Sequence, residues 1–197
     1  EQKRAKELIL QKPFNFLIGQ AGSGKTLLAV QIALDMLFKR KVNKIVITRP
    51  TVSTEDNGFL PGSEKEKMEP WLVPIKSNIR KVYNKPEILT KLEENESLEL
   101  VSLTHFRGRT FEDCVCIVDE FQNLTKAQLQ MCVGRLGKNA TMIFTGDAHQ
   151  IDLKFKNDSA IHDISKLDKS EWVNKIILHD NHRHESLNEI LRLLNEY

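Results

Sequence analysis

The sequence has no apolar run that approaches the roughly 20 residues a membrane-spanning helix needs. Its three cysteines, Cys114, Cys116 and Cys132, form no CxxC pair and have no zinc-like spacing to histidine. We therefore expect buried thiols in a reducing compartment. Residues 1–7 are mostly charged and lack the basic-then-apolar pattern of a secretory signal. These absences predict a cytoplasmic protein with no membrane partner.

The sequence also has little charge imbalance. Its 29 basic and 27 acidic residues leave a formal net charge of +2, which by itself does not indicate nucleic-acid binding. Any basic surface must therefore be local. No internal repeat or low-complexity linker divides the 197 residues, a length typical of one domain. We predict a single domain over residues 1–197.

Short apolar segments alternate with helical patterns along the chain, which is typical of an α/β protein whose parallel sheet is covered by helices on both faces. The predicted strands are Phe14–Ile18, Lys44–Thr48, Leu98–Ser102, Cys114–Val118, Thr141–Thr145 and Lys175–Leu178. Apolar residues three and four positions apart predict helices at Thr26–Phe38, Thr125–Leu136 and Ser186–Leu194. Residues 49–74 contain four prolines and two glycines, which indicates a long functional loop followed by a helix.

One glycine-rich segment follows the first predicted strand and precedes a predicted helix. It matches the phosphate-binding pattern GxxxxGK[ST] at Gly19, Gln20, Ala21, Gly22, Ser23, Gly24, Lys25 and Thr26. Its backbone amides are expected to surround phosphate oxygens, with the Lys25 amine on the β- and γ-phosphates and the Thr26 hydroxyl on Mg²⁺. A turn that binds nothing is the alternative, which the full match in this context disfavours. We predict a nucleotide site.

The strand Cys114–Val118 ends in Asp119 and Glu120, at the sheet edge where such proteins place an acid beside the phosphates. We expect Asp119 to hold Mg²⁺ through its water shell and Glu120 to polarise the attacking water. A glutamate in this position favours a hydrolase over a kinase. Two solvated acids at the end of a strand are the alternative interpretation.

A third apolar strand is followed by the polar segment 145–150, which should emerge at the same edge. Gln150 is a candidate to hydrogen-bond the γ-phosphate or the attacking water. Asp147 is a candidate to steady that network.

These segments and those around them are similar to the PhoH family, whose ATPase core resembles the first RecA-like domain of superfamily 1 helicases. The resemblance covers nearly the whole chain and includes the pair Arg183-His184. Its sequence elements are GQAGSGKT, ITRPTV, GFLPGSEKEKMEPWLVPI, FRGRTF, VDEFQNLT and TGDAHQIDL. The loop with LPG and the RGRT element are specific to this family rather than to P-loop proteins in general.

The resemblance implies a P-loop NTPase with a RecA-like sheet, ATPase activity, a link to RNA metabolism or helicase-like action, and a homo-oligomeric ring, with a hexamer favoured. It also makes Gln2 a candidate to read adenine, although a solvated helical glutamine fits equally well. A two-domain helicase completes its ATP site with an arginine from its second domain. In a one-domain chain that arginine would come from a neighbouring subunit, and Arg183 is the first candidate.

The helicase comparison implies that single-stranded nucleic acid contacts two loops, after Thr48 and around Thr104-His105, and the resemblance to the PhoH family favours RNA over DNA. The candidate contacts are Arg49, Thr51, His105, Phe106, Arg107 and Arg109. Cations beside an aromatic suit backbone contact and base stacking. Solvated arginines are the alternative, and Arg107 or Arg109 could instead brace the phosphate site or a neighbouring subunit.

Three functions compete at this point. The favoured one is ATP hydrolysis coupled to binding, remodelling or unwinding of a single strand. A nucleotide-switched binding or assembly protein is the main alternative, and a small-molecule kinase is a weaker one because the acids at 119–120 and the 147–150 segment favour hydrolysis.

Overall fold

The computed structural model describes residues 1–50, 64–83 and 86–179. Six strands form one sheet within these residues. They are β1 Phe14–Gly19, β2 Lys44–Thr48, β3 Leu98–Leu100, β4 Cys114–Val118, β5 Thr141–Gly146 and β6 Val173–Leu178. Each coincides with or overlaps a predicted strand, because a parallel sheet covered on both faces leaves a readable apolar segment for every strand.

Seven α-helices connect and cover the strands in the described residues. They are α1 Gln2–Ile9, α2 Lys25–Phe38, α3 Glu64–Tyr83, α4 Pro86–Glu94, α5 Leu103–Phe106, α6 Lys126–Val133 and α7 Ile164–Leu167. The predicted helices at Thr26–Phe38 and Thr125–Leu136 correspond to α2 and α6, and α6 ends three residues early. The helix predicted at Ser186–Leu194 lies outside the described residues. None of the described helices is long and apolar enough to cross a membrane.

The sheet is parallel throughout, with the strand order β3-β2-β4-β5-β1-β6. Alternate residues of the strands enter two separate cores, one on each face. On one face Leu17, Val115 and Ile117 pack with α1, α2, α3 and α4. On the other face Phe16 stacks on Phe144, with ring centroids 4.5 Å apart, beneath α6 and α7. The predicted two-sided α/β architecture is confirmed.

The three cysteines lie in the second of these cores, next to the aromatic rings. All are buried and free, and the Sγ atoms of Cys114 and Cys116 are 3.7 Å apart. Burial raises the pKa of the Cys132 thiol to about 12, which keeps it protonated. They therefore act as small apolar side chains, as the spacing predicted.

Parallel strands place all their carboxyl ends at one edge of the sheet. The loops after β1, β4 and β5 therefore meet there, with β5 lying between the other two strands. The loop after β2 lies next to that of β4, because these strands are neighbours and Thr48 is in register with Val118. Ligand sites in open parallel sheets form outside this edge.

Candidate nucleotide and hydrolysis site

The loop between β1 and α2 has the backbone that a phosphate cradle needs. Gly24 has φ 80° and caps the N-terminus of α2, a left-handed conformation that residues with a Cβ rarely adopt. Gly19 is needed for a different reason, since a Cβ at this position would lie 2.6 Å from the carbonyl oxygen of Leu178. The loop therefore presents backbone amides at the positive end of a 14-residue helix.

Lys25 folds its amine back over this loop. Its Nζ donates to the carbonyl oxygens of Gly19 and Gln20, at 2.7 and 2.8 Å. The buried Ser23 lies nearby, with its Oγ 3.5 Å from the same amine. The charge of Lys25 is thus concentrated at the loop that the sequence assigns to phosphate binding.

Asp119 connects the phosphate loop to the centre of the sheet. The hydroxyl of Thr26 donates to Oδ1 of Asp119 at 2.9 Å, and the hydroxyl of Thr145 donates to the same oxygen. The backbone N–H of Asp119 donates to the carbonyl of Thr48 at 2.9 Å. Two hydroxyls, one from α2 and one from β5, therefore converge on one buried carboxylate, and the two residues predicted to hold Mg²⁺ are in direct contact.

Glu120 stands beside Asp119 with a left-handed backbone, at φ 55°. Burial, followed by the negative charge of Asp119, raises the pKa of its carboxyl group above the ordinary value. A hydrogen bond from Gln122 and the charges of Arg49 and Lys25 act in the opposite direction. A partly desolvated carboxylate of this kind is a stronger base than a solvated one.

Gln122 joins the acidic pair to the loop after β5, and the sequence reasoning missed it. Its side chain is fully buried, and its amide nitrogen donates to Oε2 of Glu120 at 2.5 Å and to the carbonyl of Gln150 at 3.0 Å. Its amide oxygen accepts from the backbone N–H of Asp147 at 3.1 Å. A glutamine two residues after Glu120, between Phe121 and Asn123, was the signal available in the sequence.

The loop that follows β5 is held by its own acid. Oδ1 of Asp147, a buried residue, accepts from the backbone N–H of His149 at 2.9 Å. The N–H of Gln150 donates to the Asp147 carbonyl at 3.2 Å. Asp147 thus shapes the turn that presents Gln150, and its part in a network around the γ-phosphate stays a prediction.

These loops surround a cleft of about 600 Å³. Besides the phosphate loop, Glu120, Asp147 and Gln150, its walls include Gln2 from α1 and Asn78 and Lys81 from α3. The structure thus places Gln2 where a nucleotide contact was predicted. Asn78 and Lys81 were not predicted, because nothing local in the sequence shows that α3 faces this loop.

The predicted nucleic-acid residues separate into distinct groups. His105 and Arg107 are exposed, and Nδ1 of His105 lies 3.0 Å from Oγ of Ser102. Arg49 lies at the acidic pair, with its guanidinium nitrogens 4.0 Å from Oδ2 of Asp119 and 3.9 Å from Oε1 of Glu120. Thr51 and the proposed trans arginine, Arg183, lie outside the described residues.

Phe106 is a correction to the predicted nucleic-acid contacts, and Arg109 is paired with an acid of its own chain. The Phe106 ring is fully buried against Phe111, with centroids 4.3 Å apart, and so is not available to stack on a base. Arg109 makes two hydrogen bonds with the carboxylate of Glu99, at 2.6 and 2.9 Å, and covers the Phe111 ring. The Phe106 side chain is drawn into the core by its apolar area, and Arg109 braces β3 rather than the phosphate site.

The whole chain can now be compared with known proteins. The family model described as "PhoH-like protein" matches residues 1–195. A PhoH-like protein of Mycobacterium leprae is 36% identical over 200 residues, covering 100% of this chain and 57% of that protein. A PhoH-like protein of Bacillus subtilis is 45% identical over 139 residues, covering 70% of this chain and 43% of that protein.

The chain belongs to the PhoH family. It spans about half the length of the curated PhoH-like relatives it matches. Two of the solved structures that share its fold illustrate the similarity. The large terminase of a thermophilic bacteriophage has a TM-score of 0.54 at 12% identity, covering 100% of this chain and 50% of the terminase. The Sulfolobus solfataricus SWI2/SNF2 ATPase core has a TM-score of 0.51 at 12% identity, covering 91% of this chain and 43% of the other.

The family and the fold together make the chain a P-loop NTPase with a RecA-like sheet. The predicted family and fold class are therefore confirmed. Within the described residues, no group of three or more His, Cys, Asp or Glu side chains could hold a metal ion.

Proposed function

We propose that residues 1–197 form one PhoH-like ATPase domain that hydrolyses Mg-ATP in the cytosol and couples turnover to binding and remodelling of single-stranded nucleic acid, with RNA favoured over DNA. The observation that carries this proposal is that Lys25, Thr26 and Glu120 line one cleft and that Asp119 accepts a hydrogen bond from Thr26 beside it. A cation, a hydroxyl and two carboxylates with separate environments are the groups that phosphoryl transfer to water requires.

Nucleotide binding follows from the phosphate loop. In this structure the Lys25 amine donates to two neutral carbonyl oxygens. The charged oxygens of a triphosphate form stronger hydrogen bonds with an ammonium group, so a bound nucleotide would be preferred as the partner of Lys25. Gln2 lies on the same cleft and is proposed to hydrogen-bond the adenine. The cleft of about 600 Å³ is within the usual range for small-molecule sites.

The residues present also fit Mg²⁺. The ion prefers oxygen ligands and commonly takes one or two protein groups together with phosphates. The Thr26 hydroxyl and the Asp119 carboxylate supply such oxygens 2.9 Å apart, and Asp119 is held by a further hydroxyl from Thr145. When bound, the ion would neutralise charge on the β- and γ-phosphates.

Hydrolysis is assigned to Glu120. Its partly desolvated carboxylate has a raised pKa, and Gln122 fixes one oxygen, so the other can accept a proton from water. Gln150, which lines the same cleft, is proposed to hydrogen-bond the γ-phosphate or that water. The shared contact with Gln122 connects these two residues through a single buried amide.

The nucleic-acid surface is proposed to run over the carboxyl ends of β2 and β3. Arg49 follows β2, while His105 and Arg107 lie exposed after β3, which is its neighbour in the sheet. Cations spaced along such an edge would follow a phosphate backbone without reading sequence. Unwinding would be one outcome of this binding, and remodelling without unwinding is another.

We also propose a homo-oligomeric ring, with a hexamer favoured. The cations among the described residues lining the cleft are Lys25 and Lys81, and no arginine is among them. An arginine supplied from outside the subunit stabilises charge on the transferred phosphoryl group in many related reactions. Arg183 remains the first candidate for that role.

Steady-state hydrolysis tests the central claim. We expect Mg-ATP turnover that increases with single-stranded RNA, less with single-stranded DNA, and that falls by about 100-fold or more in Lys25→Ala because charge on the phosphates loses its partner. Lys39→Ala, which removes an exposed lysine at the other end of α2, is the matched control and should hydrolyse ATP at the wild-type rate. Wild-type turnover in Lys25→Ala would reject the proposed site.

A second measurement distinguishes hydrolysis coupled to strand remodelling from the two alternative functions, a nucleotide-switched binding protein and a kinase. Strand-stimulated hydrolysis with displacement of an annealed oligonucleotide supports remodelling. Nucleotide-dependent strand binding at a constant hydrolysis rate supports a switch, and phosphate transfer to a small acceptor supports a kinase.

A further inference from the structure

Arg49 lies between the hydrolytic acids and the proposed nucleic-acid surface. Its two terminal nitrogens face different carboxylates, Oδ2 of Asp119 at 4.0 Å and Oε1 of Glu120 at 3.9 Å. Its side chain is 32% exposed, whereas that of Asp119 is 7% exposed. The guanidinium therefore touches the catalytic centre on one side and remains accessible to solvent on the other.

The backbone before Arg49 is fixed. The carbonyl of Thr48 accepts the N–H of Asp119 at 2.9 Å, and Thr48 itself is 1% exposed. The pairing of Thr48 with Val118 in the sheet fixes the register as well. A change of partner at Arg49 therefore needs only rotation of its side chain, which exposed arginines undergo readily.

Glu120 does not depend on Arg49 for its position. Gln122, fully buried, donates to Oε2 of Glu120 at 2.5 Å, while Arg49 faces Oε1. Departure of the guanidinium would release one oxygen and leave the other held. The released Oε1 would then be free to accept a hydrogen bond from water.

The contacts of Arg49 with the acids are also exchangeable. At 3.9 and 4.0 Å the nitrogens lie beyond hydrogen-bond distance, so the attraction is electrostatic. A phosphate of a nucleic-acid backbone can bind a guanidinium through two direct hydrogen bonds, which are stronger. The exposed His105 and Arg107, after the neighbouring strand β3, mark the direction from which such a backbone would arrive.

We propose that Arg49 couples strand binding to hydrolysis: its guanidinium restrains Asp119 and Glu120 until a backbone phosphate of a single strand binds it. The inference rests on the proposed function for the identity of the strand. The restraint itself depends only on the contacts within this chain. Without a strand, Arg49 competes with water for Oε1 of Glu120, and hydrolysis is slow.

Three variants of the full chain test this. Arg49→Met removes the charge and keeps the length, Arg49→Lys keeps a cation, and Arg40→Met changes an exposed arginine at the opposite edge of the sheet, after α2. Hydrolysis would be measured without nucleic acid and with saturating single-stranded RNA of mixed sequence. Binding of a fluorescent ATP analogue and thermal unfolding would show that each variant is folded.

We expect Arg49→Met to raise the strand-independent rate about threefold or more, since an attractive charge about 4 Å from the base is removed. Its stimulation by RNA should nearly disappear. Arg49→Lys should return the strand-independent rate to within roughly twofold of wild type, because a lysine keeps the charge while losing the two-pronged phosphate contact. Arg40→Met should match the wild type in both conditions.

A folded Arg49→Met protein with a strand-independent rate at or below wild type overturns the restraint. An increased rate with undiminished stimulation by RNA overturns the coupling. A wild type that hydrolyses ATP and responds to no strand contradicts the proposed nucleic-acid partner, and it overturns the coupling with it. If the strand-independent rate of Arg49→Met is still increased in that case, the restraint by Arg49 holds and only the nucleic-acid partner is wrong.

Discussion

Glu120 combines a left-handed backbone with a side chain that is engaged at both oxygens. Its φ of 55° is uncommon for a residue with a Cβ, and such backbone is concentrated at functional sites. Gln122 and Arg49 face its two oxygens. The residue is thus oriented by the fold rather than left as a solvated acid at the end of a strand.

Glu120→Gln is expected to keep ATP affinity and to lose hydrolysis by about 100-fold or more, since the amide keeps the shape and cannot accept a proton. Equilibrium binding of a fluorescent nucleotide and single-turnover hydrolysis measure the two effects separately. Loss of nucleotide binding in this variant would show that Glu120 and Asp119 do not have the separate roles assigned here.

Gln122 gives the second prediction at the residue scale. Gln122→Met keeps the length and removes three hydrogen bonds, to Glu120, Asp147 and Gln150. We expect kcat to fall about tenfold or more because the base is no longer oriented, with little change in ATP affinity. Unfolding should also become easier by about 1–3 kcal/mol, since buried polar groups lose their partner.

Gln130→Met is the matched control, because Gln130 is an exposed glutamine on α6. It should leave both kcat and stability unchanged. An unaltered kcat in a folded Gln122→Met protein would mean that the buried amide has only a structural role.

At the scale of elements, the segment between α5 and β4 is fastened to β3. Arg109 makes two hydrogen bonds with Glu99 of β3 and covers Phe111, while Phe106 packs beneath. We predict that Arg109→Ala lowers the free energy of unfolding by about 1 kcal/mol, because the pair is partly exposed and screened. Affinity for a single strand should change little, whereas Arg107→Ala should weaken it and reduce its salt dependence.

The Arg109–Glu99 pair also makes the free energy of unfolding depend on pH. The hydrogen bond from Arg109 lowers the pKa of Glu99 below its ordinary value of 4.5. The pKa of Glu99 is therefore lower in the folded protein than in the unfolded chain. The pair stabilises the fold fully at pH values above the unfolded-state pKa, and this stabilisation is lost as the pH falls through the folded-state pKa. The stability difference between wild type and Glu99→Gln should therefore shrink below pH 4.5, as measured by urea unfolding at pH 7 and in acid. An equal difference at both pH values would contradict the assignment.

At the scale of the whole molecule, the proposed ring requires each ATP site to lie near a subunit boundary. Mixing Arg183→Ala with Glu120→Gln chains tests this, because a trans arginine leaves some mixed interfaces with both groups intact. We expect each variant alone to be inactive and the mixture to recover part of the ATPase rate. An arginine acting in trans can be worth roughly 1,000-fold in rate, so even partial recovery is measurable.

The subunit number can be measured independently of the mixing experiment. Sedimentation at several protein concentrations with Mg-ATP gives the subunit number. A wild type that remains fully active as a dilute monomer contradicts the ring and the trans arginine together. Closed rings of identical subunits require a head-to-tail interface, which places one subunit's surface against the next subunit's site.

The sequence by itself determined the strands, and it predicted the residues of the nucleotide site. The strands were readable because each is a short apolar segment between polar ones, and β2 and β4 begin and end where they were predicted. The phosphate loop and the acidic pair were readable because their function depends on consecutive residues. In both cases the information lies within a few positions of chain.

Only the tertiary structure decided which side chains meet across that site. The burial of Phe106, the pairing of Arg109 with Glu99, the position of Arg49 over the acids and the links made by Gln122 depend on residues 5 to 71 positions apart. The contacts between residues far apart in the chain follow from the strand order β3-β2-β4-β5-β1-β6, which places the loops after β2, β4 and β5 side by side. Local periodicity records which face of an element is apolar and does not record which element covers it.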